Sequence, residues 1–187
     1  SLLFKNWITA KSLQRLYLER NEIGIDGIRS MVPFLKNARN LTEINISGNR
    51  NINTDCFRVL VEALHVGGSI ENLYLYSCSI DDITALGNYS LPHLKNLSLN
   101  HNNNIQSFQS LETYTNLEEL NLNNNKIGRE GCRSISKLLQ KEGLRLKCLS
   151  LDDNDVGDDG AEILADSLQH NTSLEILDLW LNNDITE

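Results

Sequence analysis

The sequence predicts an α/β solenoid: a horseshoe with a parallel β-sheet on its concave face and helices on its convex face. Three observations carry that expectation. A variant of L-x-x-L-x-L-x-x-N-x-I recurs seven times in 187 residues, starting at Leu13, Leu41, Ile70, Leu94, Leu117, Leu146 and Leu174, at intervals of 23 to 29 residues. Within each unit apolar and polar residues alternate, the period of a strand with one buried face. After the Asn, the longer units change to the i, i+3, i+4, i+7 spacing of an amphipathic helix. Such short strands cannot bury one face alone, so units stack side by side and complete a common core. A helix is wider than a strand, and the difference curves the stack.

Taken in chain order, Leu3, Phe4 and Trp7 fall on the apolar helix positions of a unit ahead of the first strand. The first unit follows its strand with Ile23-Gly24-Ile25-Asp26-Gly27-Ile28, an I-G-x-x-G signal for turning off the sheet into a helix. The second unit is long enough for a helix, and its Cys56 matches Cys132 of the fifth unit at a position wanting a small buried side chain. The third and fourth units, 24 and 23 residues long, have room for one or two helical turns, with Pro92 closing the first of them. The fifth unit has Leu120 and Leu122 facing inward, then Ile127-Gly128-Arg129-Glu130-Gly131-Cys132. In the sixth, Ala161, Leu164, Ala165 and Leu168 form one apolar stripe, Gly157 permits the turn, and Asp158 or Asp159 is expected to cap the helix. The seventh reaches Asp184-Ile185-Thr186-Glu187, where its helix should begin. The expectation is one repeat domain over 1–187, about seven units, cut from a longer array.

The ninth position of each unit is read as a ladder. An Asn carries both a donor and an acceptor, so it can satisfy backbone groups of adjoining turns. Asn21, Asn49, Asn102, Asn125, Asn154 and Asn182 occupy it, with Cys78 as a weaker substitute in the third unit.

The I/V-G-x-x-G-A-x-x-L-A-x-x-L segment resembles the ribonuclease-inhibitor-like subfamily of leucine-rich repeats. It is also similar to repeats of NOD-like receptors and of the Ran GTPase-activating protein. The likeness spans nearly the whole chain, with the third and fourth units loosest. It implies a fold and a binding surface; it transfers no functional residue, because the shared positions are structural.

The net charge of −8 is uneven: Leu146 to Glu187 holds eleven acidic residues and one basic, a local −10, and the rest of the chain carries +2. That field steers a basic partner toward the C-terminal quarter and repels nucleic acid. No apolar run approaches the length of a membrane span. Four cysteines (Cys56, Cys78, Cys132 and Cys148) lack C-x-x-C spacing and read as free thiols of a reducing, cytoplasmic compartment.

Candidate contacts are the outward positions on the sheet. Position three gives Arg15, Glu43, Asn72, Asn96, Glu119, Cys148 and Ile176; position five gives Tyr17, Asn45, Tyr74, Ser98, Asn121, Ser150 and Asp178; position seven gives Glu19, Ser47, Tyr76, Asn100, Asn123, Asp152 and Trp180. Large aromatics dominate protein interfaces. Tyr74 and Tyr76, on one strand and one face, are therefore the first candidate patch. Trp180 beside Asp152 and Asp178 is the second, with contact to a following repeat as the alternative role for the indole.

Other chemistry finds little footing. The run Asp152 to Asp159 fails as a calcium loop, since positions five and twelve would be Val156 and Ile163. The four histidines lie on different units, without a recurring Ser, Cys or carboxylate partner, and no phosphate-cradling Gly loop or metal cluster is present. The expected function is non-catalytic binding of a protein partner on the concave face, with no cofactor, metal, nucleic acid, membrane or small-molecule substrate. Two alternatives stand beside it. One is GTPase activation of the Ran type, through Arg15, Arg20 or Arg50; the other is inhibition of a basic enzyme by the acidic end.

Overall fold

The computed structural model describes residues 10–102 and 105–186. Leu3, Phe4, Trp7 and Glu187, which figured in the reading of the two ends, lie outside the described residues. Each unit contributes one three-residue strand: β1 Arg15–Tyr17, β2 Glu43–Asn45, β3 Asn72–Tyr74, β4 Asn96–Ser98, β5 Glu119–Asn121, β6 Cys148–Ser150 and β7 Ile176–Asp178. They form one parallel sheet in chain order, in constant register, so that position three pairs with position three along the array. The central residue of each of the first six strands is buried and its neighbours face outward, the alternation that the leucine spacing demands.

The return segments differ in bulk. The long units carry helices α1 Ile25–Leu35, α2 Thr54–Gly67, α4 Gly128–Leu139 and α5 Gly157–Leu168. The third unit has only α3 Ala85–Asn88, and the fourth a single 3₁₀ turn at Gln109–Leu111. Two aromatics are buried in this thinner part of the array. Phe108 is fully buried, and the Tyr114 hydroxyl lies 2.9 Å from the Leu86 and Tyr89 carbonyl oxygens. Burial pushes the Tyr114 hydroxyl up to about 12.

The two glycines of the I/V-G-x-x-G signal have separate duties. Gly128 and Gly157 sit at φ 55° and 62°, the left-handed conformation needed to turn off the sheet. Gly131 is required for closeness instead: a Cβ there would stand 2.3 Å from Ile127 Cγ2. Neither Asp158 nor Asp159 caps α5, contrary to the sequence expectation, because residue 156 is already in helical conformation and no side chain reaches the first turn. Asp158 instead accepts from the Thr186 amide at 2.7 Å and the Thr186 hydroxyl at 2.8 Å, which ties the sixth unit to the seventh. Those bonds hold its carboxyl below the ordinary aspartate range.

The Asn ladder forms in five of its six positions. Asn125 is representative: its Oδ1 accepts from the Asn102 amide, and its Nδ2 donates to the carbonyls of Leu99 and Leu122. Asn49, Asn102, Asn154 and Asn182 make equivalent bonds. Asn21 is the exception, being exposed and donating only to the nearby Glu19 carbonyl. Cys78 makes long contacts, 3.9 Å to the Ile46 carbonyl and 3.8 Å to that of Tyr76. Burial raises its thiol to about 11.

Candidate functional site

The outward positions form rows across the strands, and their side chains set the relief of the sheet face. In the fifth-position row, Tyr17, Asn45, Tyr74, Ser98, Asn121, Ser150 and Asp178 are aligned by the register. The small residues of β4, β5 and β6 leave a depression of about 180 Å³ bounded by Tyr74 on one side and by Cys148 and Ser150 on the other. Small-molecule pockets typically need roughly 300–1,000 Å³, so this depression suits one side chain of a larger partner.

Tyr74 and Tyr76 both lie half-buried on this face. Strand β3 ends at Tyr74, so Tyr76 stands beyond it and not on the strand as the sequence suggested. Backbone pairing nevertheless continues past it, since the Gly48 amide donates to the Tyr76 carbonyl at 2.8 Å and the Ser77 amide to that of Asn100 at 3.0 Å. Ser47, expected to face outward at position seven, is fully buried, and its hydroxyl accepts from the Tyr76 amide. The Tyr74 hydroxyl is raised above its ordinary value, first by burial and then by the charges of Glu43 and Glu119.

The second patch is a separate cluster toward the end of the sheet. Trp180 is 68% exposed, and its amide donates to Asp152 Oδ1 at 3.1 Å and Asp178 Oδ1 at 3.3 Å. Asn123 Nδ2 donates to Asp152 Oδ2 at 2.9 Å. The Asp152 carboxyl is raised, first by burial and next by the adjacent Asp178 carboxyl, which outweigh the donors from Trp180 and Asn123. The five sequence candidates thus fall into two groups, the tyrosine pair near the middle of the sheet and a cluster of Asp178 on β7 with Asp152 and Trp180 just beyond the ends of β6 and β7.

With this geometry in view, known proteins place the chain. A family model described as leucine-rich repeats (2 copies) matches residues 92–140, and a second leucine-rich-repeat model matches 146–165. Ribonuclease inhibitor of Sus scrofa is 30% identical over 174 residues, which is 92% of this chain and 34% of that protein. The chain is built of leucine-rich repeats similar to those of ribonuclease inhibitor. The human NACHT, LRR and PYD domains-containing protein 13 is 28% identical over 91% of the chain and 17% of its own length. The chain therefore spans about a third of the first of these relatives and less of the second. Among solved structures, the tropomodulin C-terminal domain of Caenorhabditis elegans superposes with a TM-score of 0.55 at 12% identity, covering 90% of this chain and 92% of that one. That likeness shows the fold alone. Leucine-rich-repeat domains in general serve protein–protein interaction.

Two leucine-rich-repeat face residues that sequence reasoning left in the background are prominent. Tyr17 is 53% exposed and donates its hydroxyl to Glu43 Oε1 at 2.8 Å, and Ile176 on β7 is 57% exposed. Both stood in the outward rows, and an aromatic or aliphatic side chain there was the available signal. Cys148 is half-exposed at its outward position three; Cys56, Cys78 and Cys132 are buried, and all four are free. Arg15 is exposed on β1, and Arg20 and Arg50 are exposed on the loops that follow β1 and β2. Among the described residues, no helix is long and apolar enough to cross a membrane.

The carboxyl pair has a pH consequence. A carboxyl whose folded pKa lies above its unfolded value takes up protons on folding, so its charged form opposes the fold once pH exceeds the ordinary value of 3.8. Asp178→Asn removes the repulsion and is expected to raise Tm at pH 7. The gain should fade as pH falls toward 3.8 and Asp152 takes up its proton. Thermal melts of both proteins from pH 3 to pH 8 check this; an equal shift at every pH would mean the two carboxyls do not interact.

Proposed function

We propose that this chain is a non-catalytic binding module that holds a protein partner on its concave sheet face, in the reducing cytoplasm. The observation that carries the reading is the placement of Tyr74, Tyr76 and Trp180, with the exposed Tyr17 and Ile176, on the outward face of the sheet. Aromatic side chains offer large contact area at little entropic cost, and they anchor protein interfaces. The free cysteines support the compartment.

A second reading narrows the partner to a basic enzyme that the chain inhibits. The paired carboxyls of Asp152 and Asp178, together with the relative named ribonuclease inhibitor, favour it.

The test is affinity capture from lysate by the wild-type protein and by the Tyr74→Ala/Tyr76→Ala double variant, read by mass spectrometry. The expected result is a partner retained by wild type and lost by the variant. Alanine replacement of an interface hot spot typically costs about 2 kcal/mol or more, so retention should fall at least tenfold. Undiminished capture would place the contact elsewhere. Capture that weakens from low to high salt would favour the basic partner.

A further inference from the structure

We infer that the depression between Tyr74 and Cys148 receives a single arginine or lysine side chain of the protein partner. The proposal rests on the reading of the sheet face as the binding surface and gives that surface a chemical specificity. The space comes first. At about 180 Å³ it accommodates one extended side chain, and its lining combines Leu97 and Leu120, against which the methylene stem of a long basic side chain can lie, with the amides and hydroxyls of Asn96, Ser98, Asn121 and Ser150, which offer acceptors to its head. Its aromatic wall is Tyr74, whose ring attracts a cation through its electron-rich face.

Charge is the second argument. Glu119 lines the same depression and is exposed, and Glu43 lies in register beside Asn72 on the neighbouring strand. Among the described residues, neither carboxylate has an ion-pair partner, whereas six others on this molecule are paired with Lys or Arg. Glu43 accepts only the Tyr17 hydroxyl, and Arg15, directly across from it in register, stays outside ion-pair distance. Both charges act on Tyr74, raising its hydroxyl further than burial alone does. A guanidinium or ammonium placed in the depression would meet a ring face and at least one uncompensated carboxylate, the combination that favours a charge-assisted bond over a neutral one. An acidic or phosphorylated side chain would be repelled by the same groups.

Cys148 supplies the readout, because it lines the depression while the other three thiols are buried. The experiment measures the rate of N-ethylmaleimide alkylation at Cys148, mapped by mass spectrometry, with and without a hexa-arginine peptide. Hexa-citrulline serves as the uncharged isostere. Saturable slowing by hexa-arginine and none by hexa-citrulline is expected. Glu119→Gln, a surface change that leaves the fold intact, should weaken the protection about fivefold, and Tyr74→Ala by a similar factor. Protection that survives both variants, or no protection, overturns the proposal. Loss of partner capture in the tyrosine double variant, without protection of Cys148, would keep the binding face and remove only its basic-side-chain specificity. Capture independent of the tyrosines would remove the face itself.

Discussion

Asn125→Ala is expected to lower the unfolding free energy by roughly 3 kcal/mol, although it removes no hydrophobic contact. Asn125 is fully buried, so water cannot replace what is lost. Its Oδ1 is the acceptor for the Asn102 amide, and that amide would be left with no partner at 0–3% exposure. The two carbonyls it serves fare better, because each is shared between successive rungs. The Leu99 carbonyl also accepts from Asn102, and the Leu122 carbonyl also accepts from Asn154. One rung removed therefore orphans one group fully and two partially. Removing Asn125 and Asn154 together strips the Leu122 carbonyl of both donors, so the double variant should lose more than the sum of the singles by about 1 kcal/mol. Asn21→Ala should be within about 0.5 kcal/mol of wild type, since its side chain is exposed. Urea denaturation of wild type, the three single variants and the double variant decides it: equal losses for Asn21 and Asn125 would mean the ladder adds nothing beyond side-chain bulk.

Features written once per repeat were legible in the sequence, because seven copies of one pattern average out local exceptions. The positions that bury Leu120 and Leu122, the shared place of Cys56 and Cys132, and the shortness of the third and fourth return segments all follow from spacing. What was not legible is set by neighbouring units. Asp158 looked like a cap because it opens a helix, but Thr186, 28 residues later, presents two donors to it. Ser47 looked exposed by parity, but its side chain is fully buried and its hydroxyl accepts from the Tyr76 amide of the next unit. The same limit applied to the site. Outward rows could be named from the repeat, while the depression depends on which small side chains lie beside Tyr74 across three strands.

Phe108 is the residue on which the two halves of the array depend. Helices α1 and α2 pack together in the first half, as do α4 and α5 in the second. Between them stand only the short α3 and the 3₁₀ turn. Phe108 is buried at the start of that turn, and its ring would lie 3.5 Å from a Cβ on Gly131, so it packs directly against α4. Phe108→Ala is expected to cost about 3–5 kcal/mol, the range for emptying a buried aromatic site whose surroundings cannot collapse. Collapse is opposed here because the parallel register of β3, β4 and β5 fixes the distance between units. The loss should also change the shape of the transition. In a stacked array stability is a sum of unit terms and nearest-neighbour interface terms, and a weakened central interface lets each half unfold at its own temperature. Calorimetry should then give a van't Hoff enthalpy below the calorimetric one, where wild type gives agreement. Phe108→Leu, which keeps most of the volume, should lose less stability and retain a single transition. A single sharp transition in the alanine variant, only lowered in temperature, would show that the sheet alone couples the two halves.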